Sequence, residues 1–387
     1  MLQKKMVYLD FAATTPVDPR VLQAMLPYFT DKFGNPSSYH HYGQSAENAL
    51  ENARDKVAKY FNCLPSEVIF TSCGTESDNL AIRGSAIKAL KERGAKHLLI
   101  TPVEHHAVTR TAQQLSNFYG FKLEYLAVDK FGRTILEDVA ARIRQDTAIV
   151  SIIYANNEIG TINPIGAIGE ICRSRDVIFH TDAVQAAGYL TLDIHSLNAD
   201  LVSIGAHKFY GPKGIGALYI RQGTSILPAQ TGGGQEFGFR AGTQNIPYII
   251  GLAEALEITQ MEKESRISFV KPLRDHLIGT ILEEISDVQL TGHPDERLPN
   301  HASFVFHGID GNALLMMLDI EGFACSSGSA CKTGNPEPSD VLSSLGISRD
   351  WALGSLRVTL GNLTTATEIE YFLSVLPKVI SKLRNIR

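Results

Sequence analysis

The sequence lacks the marks of several protein classes. No apolar run approaches the ~20 residues that a membrane-spanning helix requires; the longest, such as Ala148 to Ala155, fall far short, so no membrane partner is expected. Lys4 and Lys5 near the start are not followed by an apolar stretch ending at a small-residue cleavage site. A secretory signal is therefore not expected, and a cytoplasmic location is. Basic residues are in deficit, with 36 Lys and Arg against 41 Asp and Glu for a net charge of −5. Such a balance offers no global field for a polyanion, and direct nucleic-acid binding is disfavoured. The five cysteines (Cys63, Cys73, Cys172, Cys325, Cys331) form no CxxC pair, and no His pair stands at zinc-finger spacing. Neither a disulfide framework nor a metal site is expected, and an odd count leaves at least one thiol available for chemistry. Repeats and low-complexity segments are absent as well.

The composition, 44% apolar and 20% charged, is that of an ordinary folded protein. At roughly 150 residues per domain, 387 residues suggest two domains. From Glu67 to about Ile220 short β-branched runs alternate with stretches of helical period, the mark of an α/β domain built on a mostly parallel sheet. Seven strands are expected: Val68 to Ser72, His97 to Thr101, Lys122 to Val128, Ala148 to Ala155, Val177 to Asp182, Leu201 to Ala206 and Gly216 to Ile220. Helices are expected over Glu76 to Arg93, Val108 to Tyr119, Leu136 to Arg144 and Ile165 to Arg175. Beyond the Gly-rich segment Thr231 to Gly242 the pattern changes, with a long helical stretch over Ile249 to Ile281. The boundary is placed near residue 258, giving a large domain of residues 15–258. A smaller α+β domain takes residues 1–14 and 259–387, with strands at Ser303 to Phe306 and Leu356 to Leu360. Its helices are Asn312 to Leu318 and Glu368 to Arg384, the latter with a kink at Pro377.

Lys208 ends one expected strand and Asp182 the neighbouring one, 26 residues earlier. Strand ends are where ligands of such sheets sit. A lysine alone is most simply a solvated charge. Beside a carboxylate at the next strand end it suits pyridoxal phosphate, with the lysine as Schiff base and the carboxylate keeping the pyridinium nitrogen protonated. Cys73, Gly74, Thr75 and Glu76 lie between a strand and a helix, where a helix N-terminus can take a phosphate. An ordinary N-cap by Thr75 is the simpler alternative. His105 and His106 follow another strand at the same edge, where one imidazole could stack on the cofactor and the other is expected to be only structural.

Nine segments in order carry a resemblance: YLDFAATTPVDPRV, FGNPSS, FTSCGTESDNLAI, VEHHAV, SIIYANNEIGT, FHTDAVQA, GAHKFYGPKGIGALYI, GGGQEFGFRAGTQN and CSSGSAC. From about Val7 to Phe372 the chain resembles the cysteine desulfurases of the NifS/IscS type, within the fold-type I pyridoxal-phosphate enzymes. The resemblance implies that Lys208 is the Schiff-base lysine, Asp182 the partner of the pyridine nitrogen, Gln185 the donor to the ring phenolate and His105 the stacking imidazole. Gly74, Thr75, Ser203 and His207 resemble the phosphate-binding set. Thr243 looks like the residue that reaches the phosphate of a neighbouring subunit, which implies a homodimer. Asn35, Asn156 and Arg357 match positions that hold the substrate, Arg357 offering a planar fork for its carboxylate.

Cys331 closes CSSGSAC, where the family carries the nucleophile that takes sulfur from L-cysteine as a persulfide. A small-residue loop there could visit the pocket and then an acceptor protein. The other four cysteines read as small buried hydrophobes, although Cys325 stands six residues before Cys331. Relatives often read GGGQERGLRSGT where this chain has Phe237, Phe239 and Ala241, which removes a charge near the cofactor entrance. An aromatic repacking is the expected consequence. The acceptor is open among an iron-sulfur scaffold, a carrier for thionucleosides and a DNA phosphorothioation system. Two rival readings are a lyase acting by β-elimination, such as a selenocysteine lyase, and a non-catalytic scaffold.

Overall fold

The structure, a computed structural model, describes residues 6–328 and 337–385. Cys331 lies outside them. Twelve strands occur among the described residues: β1 (Val7–Tyr8), β2 (Val68–Thr71), β3 (His97–Ile100), β4 (Lys122–Tyr125), β5 (Thr147–Ser151), β6 (Phe179–Asp182), β7 (Leu201–Gly205), β8 (Gly216–Ile220), β9 (Val288–Leu290), β10 (His301–Phe306), β11 (Phe323–Ala324) and β12 (Ser355–Thr359).

Strands β2 to β8 form one seven-stranded sheet in the order β2-β8-β7-β6-β5-β3-β4. Only β8 runs antiparallel to its neighbours. All of these strands except the edge strand β4 are buried along their length, which explains their continuous apolar character. The expected strand Ala148 to Ala155 is shortened to β5, yet the hydrogen bonding continues past it, with Ile152 N donating to His180 O and Tyr154 N to Asp182 O.

Helices cover the sheet and begin where the site lies. Helix Gly74–Arg93 starts two residues earlier than expected, Glu76 reaching back to accept from Ser72 N at 2.7 Å, and it ends at left-handed Gly94. His105 caps helix His106–Tyr119, its Nδ1 accepting from Ala107 N at 3.1 Å.

Helix Ile246–Glu284 runs 39 residues without a break and carries Pro272 inside it. The boundary expected near residue 258 therefore falls within a helix. Beyond it, β10 pairs antiparallel with both β9 and β12, and helices Gly311–Ile320 and Ala366–Asn385 pack together beside that sheet. Pro377 is carried inside the last helix without ending it. The N-terminal β1 pairs in parallel with β11, Val7 opposite Phe323.

Edge strand β2 is closed by a buried ion pair. Arg54 donates to Val68 O at 2.7 Å and to both Glu236 oxygens at 2.8 and 3.0 Å, while Glu236 accepts from Phe70 N at 2.8 Å. The backbone groups an edge would leave open are thereby used. Phe237 lies over the Arg54 guanidinium at 5.0 Å, so an aromatic ring covers a buried cation. Glu236 and Phe237 take positive φ values of 46° and 56°, a strained turn that the ion pair holds. Arg54→Ala would strand the Glu236 carboxylate. The expected cost is ~3–5 kcal/mol, read as a fall in the denaturation midpoint, and Arg54→Ala with Glu236→Ala should cost less than the two single changes summed.

Candidate active site

The parallel strands β6 and β7 end side by side, Asp182 opposite Ser203, and the chain after β7 turns at once through His207 and Lys208. A cavity of about 320 Å³ opens at this edge, lined by Gly74, Thr75, His105, Asp182, Gln185, His207, Lys208 and Arg357 among others. Eight residues singled out from the sequence thus share one wall. Cys73, also in that wall, is half-buried.

Among the described residues no carboxylate contacts the Lys208 amine. It donates to the carbonyls of Ala12 at 2.7 Å and Ala13 at 2.8 Å. Burial, with Arg357 nearby, lowers its pKa to about 8, against the opposing pull of Asp182 and Asp10. Gln185 Nε2 donates to the same Ala12 carbonyl at 2.8 Å, and His207 Nδ1 lies 3.1 Å from Thr14 Oγ1.

Asp182 is buried, and burial raises its pKa while His105 and Lys208 pull it down. One oxygen accepts from Val184 N at 2.9 Å, which fixes the carboxylate at the strand end. His105 sits close by: one ligand-type atom from each of Asp78, His105 and Asp182 lies within 4.8 Å of the others. Because His105 Nδ1 accepts from the helix backbone, the neutral ring carries its proton on Nε2. Burial lowers its pKa and favours that neutral form. Glu104, directly before it, accepts from Thr101 Oγ1 and Ile153 N and is pushed up to about 8 by burial.

Arg357 is nearly buried, one nitrogen donating to Asn157 O and another to Asp10 Oδ1, both at 2.8 Å. Its Nε is buried with no partner among the described residues, and the guanidinium is paired with the Asp10 carboxylate.

Four of the expected residues lie elsewhere. Asn156 is wholly buried and its amide is spent on backbone: Nδ2 donates to Val103 O, and Oδ1 accepts from Glu158 N and Ile159 N. Its neighbour Asn157 lines the cavity instead. Ser203 is buried behind the wall, 2.9 Å from His180 Nε2, which in turn lies 3.5 Å from Asp78. Asn35 is exposed and accepts from Ser37 N in its own turn. Thr243 is exposed in a separate cleft with Arg240 and Thr71. The sequence reading missed Asp78, Asn157 and the two alanine carbonyls. Asp78 stands inside a quoted motif and so could have been found; a backbone carbonyl leaves no signal in residue identity.

Residues 7–372 match the class-V aminotransferase family. The chain belongs to that family. It is 47% identical over 99% of its length to the cysteine desulfurase IscS of Dictyoglomus turgidum, covering 96% of that protein. Against IscS of Methanosarcina thermophila it is 45% identical, over 99% of this chain and 94% of the relative. Among solved structures, a NifS-like protein superposes with a TM-score of 0.90 at 38% identity, over 98% of this chain and 100% of that one. SspA in complex with cysteine gives 0.80 at 34%, over 92% and 99%.

Members of this family are pyridoxal-phosphate enzymes, and the donor set fits that cofactor. A lysine of lowered pKa, a buried carboxylate, an imidazole with one nitrogen tied down and a helix N-terminus converge on one cavity.

The lowered pKa has a direct readout. In the cofactor-free protein Lys208 is expected to react with an amine-directed reagent with its midpoint near pH 8, below which the amine is protonated and silent. Exposed lysines should follow the ordinary value of about 10.4. Competitive labelling read by peptide mass spectrometry checks this, and a Lys208 midpoint at the ordinary value would contradict it.

Proposed function

We propose that this protein converts L-cysteine to L-alanine and hands the sulfur through Cys331 to an acceptor protein. It is a pyridoxal-phosphate-dependent cysteine desulfurase, in keeping with its near-complete coverage of relatives of that name. The observation that carries the division of labour is the convergence of Lys208, Asp182, His105 and Arg357 on one cavity.

The bound cofactor supplies an electron sink that weakens the bond to the α proton of the amino acid. Lys208 would hold the cofactor and serve as the base for this proton, a task that suits an amine titrating near pH 8. Asp182 keeps a negative charge against the ring nitrogen. His105 offers its Nε2 proton from a fixed orientation. The Arg357 fork, already held by Asn157 and Asp10, receives the substrate carboxylate. The Cys331 thiolate then attacks the substrate sulfur. The sulfur–sulfur bond forms as the carbon–sulfur bond breaks, the electron pair stays with the carbon fragment, and protonation yields alanine.

The other described cysteines are poor rivals. Burial raises the pKa of Cys63 and Cys172 to about 12 and raises that of Cys325 too. Of the described cysteines only Cys73 lines the cavity, which makes it the one rival to be separated by experiment. The exposed Thr243 is read as reaching the phosphate of a second copy, so the working unit is a homodimer, with residues 15–258 as its cofactor domain. No described helix is long and apolar enough to cross a membrane, and the enzyme is read as cytoplasmic with a protein acceptor.

Alanine formed from L-cysteine with a dithiol reductant tests the assignment. Cys331→Ala is expected to lower the rate by about a hundredfold or more while the cofactor absorption band persists, and Cys73→Ala to leave the rate unchanged. Full activity in Cys331→Ala would favour a β-elimination lyase. Loss in Cys73→Ala alone would move the nucleophile to the cavity wall.

A further inference from the structure

Helix Gly74–Arg93 opens at the cavity edge, and its first turn already holds an anion, Glu76. Gly74 and Thr75 line the cavity, whereas the next residue is bonded elsewhere. Glu76 Oε2 accepts from Ser72 N at 2.7 Å, and Oε1 accepts from Arg240 Nε at 3.0 Å. Both side chains are largely covered, 23% exposed for Glu76 and 21% for Arg240, so solvent screens the pair less than one on the open surface. Burial raises the Glu76 pKa, but Arg240 and the Ser72 amide outweigh it and hold the carboxyl below its ordinary value. Glu76 is therefore ionised at neutral pH, at the helix end where the dipole favours negative charge. The cofactor phosphate is expected at that same end. Two anions thus address one helix N-terminus. Arg240 comes from 164 residues along the chain, in a segment held from several sides. Gln230 Nε2 donates to Ala241 O at 2.9 Å and Gly242 N to Gln235 Oε1 at 3.0 Å, while Glu236 is fixed by Arg54. The backbone on either side of Arg240 is anchored independently of its contact with Glu76.

We propose that Arg240 is a positioning residue for the cofactor phosphate: it neutralises Glu76 at the helix N-terminus and so leaves the turn at Gly74 and Thr75 to the phosphate. The proposal rests on the reading of that turn as phosphate-binding. A bare carboxylate one residue from Thr75 would repel a second anion, and a helix dipole worth about half an elementary charge does not compensate both. Paired with a guanidinium, Glu76 keeps its bond to Ser72 N, which fixes the turn, while adding no net charge. Arg240 therefore acts on the phosphate through Glu76, and its removal harms cofactor binding only while Glu76 stays charged.

The test strips the full-length enzyme of cofactor and reloads it with pyridoxal phosphate or with pyridoxal, which lacks the phosphate, reading each dissociation constant from the absorption band. Arg240→Ala is expected to weaken pyridoxal phosphate by about tenfold and to leave pyridoxal within about twofold of the native protein. Adding Glu76→Gln to Arg240→Ala should restore most of the lost affinity. Arg240→Lys, which keeps the charge, should lose little, and added salt should narrow the gap between Arg240→Ala and the native protein. If Arg240→Ala does not fold, Arg240→Gln, neutral and of similar reach, takes its place. Native affinity for pyridoxal phosphate in Arg240→Ala would overturn the neutralisation. An equal loss for pyridoxal, or a double variant no better than Arg240→Ala, would overturn it too and leave the pair a staple of the fold. Thr75→Asp, which puts an unneutralised carboxylate in the turn itself, checks the underlying reading. No selective loss of pyridoxal phosphate in that variant would place the phosphate elsewhere, and the role of Arg240 would fall with it.

Discussion

An amine held by two peptide carbonyls is the constraint on which the site depends. Lys208 is half-buried, its charge met by the dipoles of Ala12 and Ala13 and not by a contacting carboxylate. Dipoles satisfy the donors without compensating a full charge, so the neutral amine is within reach near physiological pH. That arrangement requires residues 12–18 to be pinned beside the lysine turn. Thr15 N donates to His207 O, Tyr210 N donates to Thr15 Oγ1, and Asp18 N donates to Tyr210 O, all at 2.8 to 2.9 Å. Lysine reactivity is thus set by a lacing of backbone that no single side chain controls.

Burial does similar work across the cavity floor. Asp78, Glu104 and Asp182 are all raised by burial, and three neighbouring carboxylates do not all stay ionised. His105 and Lys208 pull Asp182 back down. The acid at the strand end is thereby the one of the three most drawn towards its ionised form, while burial pushes Asp78 and Glu104 up.

The sheet was legible because its strands are buried on both faces, and β-branched runs such as Val68–Thr71 and Leu201–Gly205 say so directly. Strand ends carrying Asp182 and Lys208 were legible for the same reason, since each terminates its run. Residues whose role depends on which way a side chain points were not. Asn156 and Asn157 are identical letters, yet the buried one ties down a turn and its neighbour meets the cavity. Ser203 shares a strand with the site but is drawn to His180 behind it. The division near residue 258 was placed inside the helical stretch expected over Ile249 to Ile281, and that helix runs unbroken over Ile246–Glu284.

The pairing of β1 with β11 joins Val7 to Phe323, and this fixes an order of assembly. During synthesis the segment that will hold Lys208 emerges first, but its anchoring strand has no partner until the last part of the chain has left the ribosome. The cofactor sheet can form beforehand, since all seven of its strands lie between Val68 and Ile220. A nascent chain stalled before Phe323 would lack the β1–β11 pairing that anchors the start of the segment holding Lys208. Such long-range closure is slow compared with local folding, so the N-terminal anchor of the site is among the last parts of the fold to close.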